Sequence, residues 1–267
     1  MTREVRPSRD DLGALVAVPR PVRRVVSLVP SLTESVAASG LLVGATDWCT
    51  HPPGLDVARV GGTKSPRVAS VLELAPDLVL ANEEENRRED VEALRAAGVA
   101  VWVTAPRTVP AALTSLGRLL AVCGISSPGW YRDACAAWPP GPPPAPRLRA
   151  VVPIWRKPWM ALGRDTFAGD VLARLGVANV LAGAPERYPR FSPEDLPDYD
   201  VVVLPDEPYA FAPGDEAAFG GRPAAFVSGR HLTWYGPSLA EAPAVLDRQL
   251  GAAGASSGPA DPSSPQR

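Results

Sequence analysis

Short, continuous apolar runs alternate with helical periods along most of the chain. Residues 24–29 (RVVSLV), 77–81 and 99–103 are runs of the kind that fill strands buried on both faces. Between the last two, residues 87–97 carry their apolar positions at helical spacing and stop at Gly98. Ser31 and Glu34 have the spacing of a capping box at the head of a short helix that ends at Gly40. A helix is predicted over 71–75, and Thr108 caps another with Leu113, Leu116 and Leu120 on one face. Further on, the apolar run 151–154 predicts a strand and Phe167, Val171, Leu172 and Leu175 a helix, with Asp165 or Thr166 at its start and Gly176 at its end. Ser192-Pro193-Glu194-Asp195 reads as a helix start, 199–204 and 226–227 as strands, and a last helix with Pro243 in its first turn runs to about Leu250. Repeated βα order predicts largely parallel sheets.

Two stretches break the pattern. Residues 1–20 show no clear period and are expected to wrap the surface as an arm. Residues 138–146 (WPPGPPPAP) cannot continue a helix and form a stiff linker. The organisation expected is therefore an arm over 1–20, a first α/β lobe over 21–122, a bridging helix and Pro-rich linker over 123–146, and a second α/β lobe over 147–250. By composition, 251–267 (GAAGASSGPADPSSPQR) is a disordered tail.

A net charge of −2 excludes any global attraction to nucleic acid or anionic membrane. Cys49, Cys123 and Cys135 are odd in number and widely spaced, which argues against a disulfide framework. The N-terminal stretch is charged and lacks the apolar segment of a secretory signal, and no run has the length of a membrane span. A cytoplasmic monomer without membrane insertion is expected.

Candidate chemistry falls in loops where strands cross to helices, the usual ligand side of a parallel sheet. Trp155-Arg156-Lys157-Pro158-Trp159-Met160 places two indoles and two cations in six residues, and two Trp flanking a Pro in a loop favour a ligand-facing platform over core. Cys49 and His51 lie two apart, so in an extended segment they share a face and could touch one soft metal. The turn VGGTKSP lacks the P-loop and dinucleotide spacings, which rejects nucleotide binding there. Tyr209 and the pair Trp234-Tyr235 add aromatic loops.

Taken in order, SLVPSLTE, VGGTKSP, LELAPDLVLANEEENRRED, PIWRKPWM with DTFAGDVL, and LTWYGP resemble the helical-backbone metal receptors, nearest the cobalamin-binding-protein-like subgroup. The resemblance covers about residues 23–250. It implies a class III periplasmic-binding-protein-like fold: two βα lobes with central, largely parallel sheets joined by a bridging helix. It further implies a protein that delivers a metal chelate to an ABC importer and performs no chemistry. Trp48, Thr63 and Lys64 match first-lobe ligand contacts, and Trp155, Arg156, Trp159, Trp234 and Tyr235 match second-lobe ones; Tyr209 joins them as a candidate ligand contact because it is an aromatic in a strand-end loop. Ser238 stands where the family has an arginine.

The ligand expected is cobalamin or a related corrinoid, not a catalytic cofactor, with haem or a ferric siderophore as the alternative. A hydrolase built on Cys49 and His51 is the enzyme alternative, and it lacks an orienting third group. Importer docking in the family uses one exposed glutamate per lobe. Glu194 matches the second-lobe position, whereas the first-lobe position is Ala69, with Glu73 a turn away. That departure, with the missing leader, leads to the expectation of a protein that does not dock productively on a permease.

Overall fold

The apolar runs of the first part of the chain become parallel strands buried on both faces. The computed structural model describes residues 4–255, which divide into two units: residues up to Pro139 together with Trp234–Ala240, and Pro140–Thr233 together with the chain from Glu241 onward.

The first unit begins with an antiparallel hairpin, β1 (Glu4–Arg9) and β2 (Leu15–Arg20). The expected loose arm is thus a paired ribbon, in which Val16 and Val18 point inward while Leu15 and Ala17 point out. Its turn is fastened by carboxylates. Buried Asp10 accepts from the Leu12 and Ala14 amides and from Arg95, while Asp11 accepts from the Ala105 amide and from Ser115.

There follow β3 (Val25–Ser27), α1 (Pro30–Ala37), β4 (Leu42–Ala45), β5 (Ala58–Arg59), α2 (Val68–Glu73), β6 (Leu78–Asn82), α3 (Arg88–Ala96), β7 (Val101–Thr104), α4 (Val109–Cys123) and α5 (Gly129–Ala137). The sheet has the order β5-β4-β3-β6-β7, all pairs parallel. Val26, Val79, Ala81, Val101 and Val103 from the strands, with Leu28 just past β3, meet Val71, Val91 and Leu94 from the helices in one core. Each such aliphatic side chain contributes on the order of 1.5–3 kcal/mol by leaving water. The capping box is not formed: Pro30 occupies the first helical turn, Val29 precedes it, and Ser31 is buried inside α1. Thr108 caps α4 as expected, its hydroxyl accepting from the Ala111 amide. The helical stretch is split at Gly124, whose φ of 74° ends α4 in the left-handed region. α5 then stops before the Pro run.

The second unit contains β8 (Leu148–Val151), β9 (Pro153–Arg156), β10 (Trp159–Ala161), α6 (Phe167–Arg174), β11 (Val177–Asn179), β12 (Val201–Pro205), β13 (Ala224–Val227), α7 (Gly229–Thr233) and α8 (Ala242–Ala255). Its sheet, β11-β8-β12-β13, is parallel. Thr166 caps α6 through the Gly169 amide. The expected single strand over 151–154 is broken at Val152, after which β9 turns back on β10 as an antiparallel hairpin.

Two boundaries differ from expectation. Residues 234–240 belong to the first unit, so the second is not continuous over 147–250. Helix α8 continues to Ala255, past the expected tail start at Gly251, and the rest of that tail lies outside the described residues.

Candidate functional site

In the first unit the candidate loops gather at the carboxyl ends of β3, β4, β6 and β7. Trp48 follows β4 and is 68% exposed. The Asp47 amide beside it donates to the carbonyl of Gly61, whose φ of 93° suits glycine alone. The Trp48 indole nitrogen lies 3.7 Å from where a side chain on Gly62 would begin, so the indole rests over the VGGTKSP turn. In that turn Thr63 is buried, while Lys64 is exposed with its ammonium donating to the Glu84 carbonyl.

A buried amide scaffold joins these loops. The Asn82 side chain donates to the Thr104 carbonyl at 2.9 Å and to the Tyr235 hydroxyl at 2.6 Å. Its oxygen accepts from the Glu84 and Glu85 amides, and its backbone amide donates to the Asn86 side chain. Asn86 in turn donates to the carbonyls of Leu28 and Thr63. Sequence reading missed both residues. The available signal was a polar pair four apart at the end of the apolar strand 78–82, where buried amides must find partners.

Tyr235, expected at a second-lobe ligand contact, is instead an interior anchor of the first unit. It is 7% exposed, its hydroxyl bonds Asn82 and Thr104, and burial raises its phenol well above the ordinary value. Gly236 follows because a Cβ there would come within 2.8 Å of the Ser31 carbonyl. Ser238 is fully buried. Trp234 is half-buried and meets His51 edge to face, ring centroids 5.4 Å apart.

The Cys49–His51 pairing is corrected. Cys49 is wholly buried, with its sulfur 3.0 Å from the donating Thr33 hydroxyl and 3.1 Å from that of Thr46. His51 is half-exposed beside Trp234, so the two side chains do not present a common face to a metal or substrate. The segment is not extended: the Cys49 amide closes a turn on the Thr46 carbonyl. Among the described residues no group of three or more His, Cys, Asp or Glu is arranged to hold a metal ion.

In the second unit the aromatic residues gather at the carboxyl ends of β8 and β12. Trp155 is 44% exposed and meets Tyr209 edge to face at 5.5 Å. Trp159 behaves differently. It stacks parallel to Phe211 at 6.1 Å, meets Phe219 at 5.3 Å and packs on the core of Tyr199, Val202 and Leu204. The Arg156 guanidinium lies 5.7 Å from the Trp159 ring centre and pairs with Asp215. Alternation on the hairpin explains the split: the two indoles sit on different strands, and Trp159 faces the aromatic core. Glu194 is exposed on a single 3-10 turn, Pro193–Asp195, rather than a full helix. The Ser192 hydroxyl donates to its carboxylate, which holds the carboxyl below the usual range.

No protein-family model matches the chain. Over 194 residues it is 24% identical to the vitamin B12-binding protein of Vibrio cholerae serotype O1, covering 68% of this chain and 69% of that one. Among solved structures, the periplasmic vitamin B12 binding protein BtuF of Vibrio cholerae matches with a TM-score of 0.68 at 19% identity, covering 88% of this chain and 98% of that one. The periplasmic haem-binding protein BhuT, solved with two haems, matches with a TM-score of 0.69 at 26% identity, covering 86% and 98%. These relatives are binding proteins rather than enzymes. They also overturn the cytoplasmic expectation, because the proteins matched are periplasmic binding proteins, a class that is exported.

Proposed function

We propose that this chain, a member of the helical-backbone metal receptors of the class III periplasmic-binding-protein family, binds a large, flat metal chelate as the substrate-binding component of an ABC importer. The ligand class we favour is a corrinoid, which is what the vitamin B12-binding relatives are named for. The observation that carries this reading is the pair Trp48 and Trp155. They are the exposed aromatic side chains among the described residues, and each stands at the carboxyl ends of its own unit's parallel strands. An exposed indole is costly to keep in water, and a ring face stacked on it is worth on the order of 1 kcal/mol beyond area burial. Lys64, in the turn that Trp48 rests over, and Arg156, next to Trp155, supply donors for peripheral amides or carboxylates. Glu194, exposed and held charged by Ser192, is our candidate for the permease-facing carboxylate of the second unit, and Glu73, exposed on α2, for the first.

The reading is tested by titrating the purified protein with cyanocobalamin, cobinamide and haem while following Trp fluorescence and calorimetric heat. Saturable quenching with a corrinoid at micromolar concentrations is expected. Haem binding without corrinoid binding reassigns the ligand within the family. Absence of heat with all three removes the chelate-binding function. Glu194→Gln is expected to weaken capture by permease-bearing vesicles while leaving chelate affinity unchanged.

A further inference from the structure

Away from these loops, the β1–β2 hairpin is apolar on both faces. Its pairing puts Val5 opposite Pro19, Pro7 opposite Ala17 and Arg9 opposite Leu15 on one face, with Val16 and Val18 on the other. Val16 and Val18 are buried. The first face has Arg9 as its one polar side chain, and it looks outward: Val5 is 52% exposed, Leu15 64%, and Pro7 and Ala17 are exposed as well. At the turn Leu12 is 50% exposed. An antiparallel ribbon with one buried face ordinarily turns polar residues to water on the other. Besides Val5, Leu12 and Leu15, the large apolar side chains that stand exposed among the described residues are Trp48, Trp155 and Leu72. The two indoles belong to the candidate ligand loops, and Leu72 is a single residue of α2.

Charge says what kind of surface fits. Each carboxylate of the hairpin is matched by an arginine: Glu4 with Arg6, Asp10 with Arg95 and Asp11 with Arg118. Arg9 and Arg20 make no ion pair among the described residues, their guanidinium groups donating to the Gly13 and Ala121 carbonyls. Helix α4, bonded to the hairpin through Arg20 and Arg118, has no acidic residue. The positive surplus is local, since the chain as a whole carries −2. Size narrows the choice further. A strand of six residues spans about 20 Å and a two-stranded ribbon is about 10 Å wide, a footprint on the order of 200 Å² against roughly 800 Å² per partner in a stable protein interface. A second copy or a folded partner needs more, whereas a bilayer surface needs no matching shape.

We propose that this face is a lipid-docking surface: the hairpin lies on an anionic bilayer, with Val5, Leu12 and Leu15 entering the boundary between headgroups and acyl chains and Arg9 meeting lipid phosphates. Apolar burial at that boundary and attraction of cations to anionic headgroups add together in such binding. The contact is peripheral, and no helix among the described residues is long and apolar enough to cross a membrane.

The test sediments the whole protein with vesicles of phosphatidylcholine alone and of equal parts phosphatidylcholine and phosphatidylglycerol. Binding is expected to the anionic vesicles, about tenfold weaker to the neutral ones, and falling as salt is raised. Leu12→Glu with Leu15→Glu is expected to lower binding about tenfold or more, and Arg9→Gln about fivefold. All three positions are exposed, so urea unfolding of both variants should match the parent. No binding to anionic vesicles overturns the proposal, as does equal binding to neutral ones. Parental binding by the leucine variant or, should that variant fail to fold, by Arg9→Gln overturns it too. Capture that requires a permease in the vesicles, with none on lipid alone, marks a protein partner and likewise overturns it. Corrinoid is absent throughout, so the result is independent of the chelate reading.

Discussion

The two units hold their strand-end loops by different means. The first uses directional bonds: Asn82, Asn86, Thr104 and Tyr235 join four loops through buried amides and hydroxyls. The second uses contact area, with Trp159, Phe191, Phe211 and Phe219 packed ring against ring below Trp155. A hydrogen-bonded clamp fixes backbone positions and tolerates no loss of a partner. An aromatic cluster holds position through volume, and its members differ in exposure rather than in chemistry. That is why Trp155 and Trp159, four apart, have different surroundings.

The largest effect expected is that of Trp159→Ala, which should destabilise the protein by about 3 kcal/mol in urea unfolding, because its half-buried ring packs on Phe211, Phe219 and the core. A variant of parental stability that loses chelate affinity would instead move Trp159 to the ligand side and erase the contrast with Trp155. Next comes Asn82→Ala, expected to cost about 1–2 kcal/mol by taking the acceptor from the Glu84 and Glu85 amides and one of two partners from the Tyr235 hydroxyl, with Tyr235→Phe near 1 kcal/mol. A neutral Asn82→Ala would show that the clamp adds little to packing. Trp48→Ala and Trp155→Ala should shift stability by under about 0.5 kcal/mol, yet raise the corrinoid Kd about tenfold, or about 1.4 kcal/mol. Unequal losses would show which unit dominates recognition.

The last effect appears only in alkali. Burial raises the Tyr235 phenol above its ordinary 10.0 and pushes the Cys123 thiol up from 9.0 to about 12. Both stay protonated in the fold where the unfolded chain ionises. Stability is therefore complete below about pH 9 and falls as pH rises towards the folded values. Cys123→Ala should flatten the decline between pH 9 and 12 in thermal unfolding scans. The Tyr235 part should persist in that variant and vanish in Tyr235→Phe.

Legibility in the sequence followed the range of the interaction. Strands buried on both faces and the Thr108 and Thr166 caps depend on neighbours a few residues away, and all are present. The ordered motifs led to the right fold. The inward–outward alternation of Leu15, Val16, Ala17 and Val18 was also there, but Pro and charged residues around it masked the hairpin. The clamp was not legible, because Asn82 and Tyr235 are 153 residues apart and neither spacing nor composition links them. The aromatic loops were legible as aromatic, but their facing was not. Cys49 points inward for the same reason: the turn at Thr46 sets its direction, and that turn leaves no periodic trace.

The return of residues 234–240 to the first unit bears on how the chain is made. A ribosome releases the first 139 residues with every strand of their sheet in hand, yet Asn82 must wait for Tyr235 before its amide is satisfied. For that interval the nascent unit carries a polar group built for a partner still to be synthesised. Such distant closures slow folding, because chain entropy is lost before the contact repays it. Expression of residues 1–139 alone would therefore yield a sheet without its fastener, whereas a circular permutant that begins at 234 would deliver the fastener first.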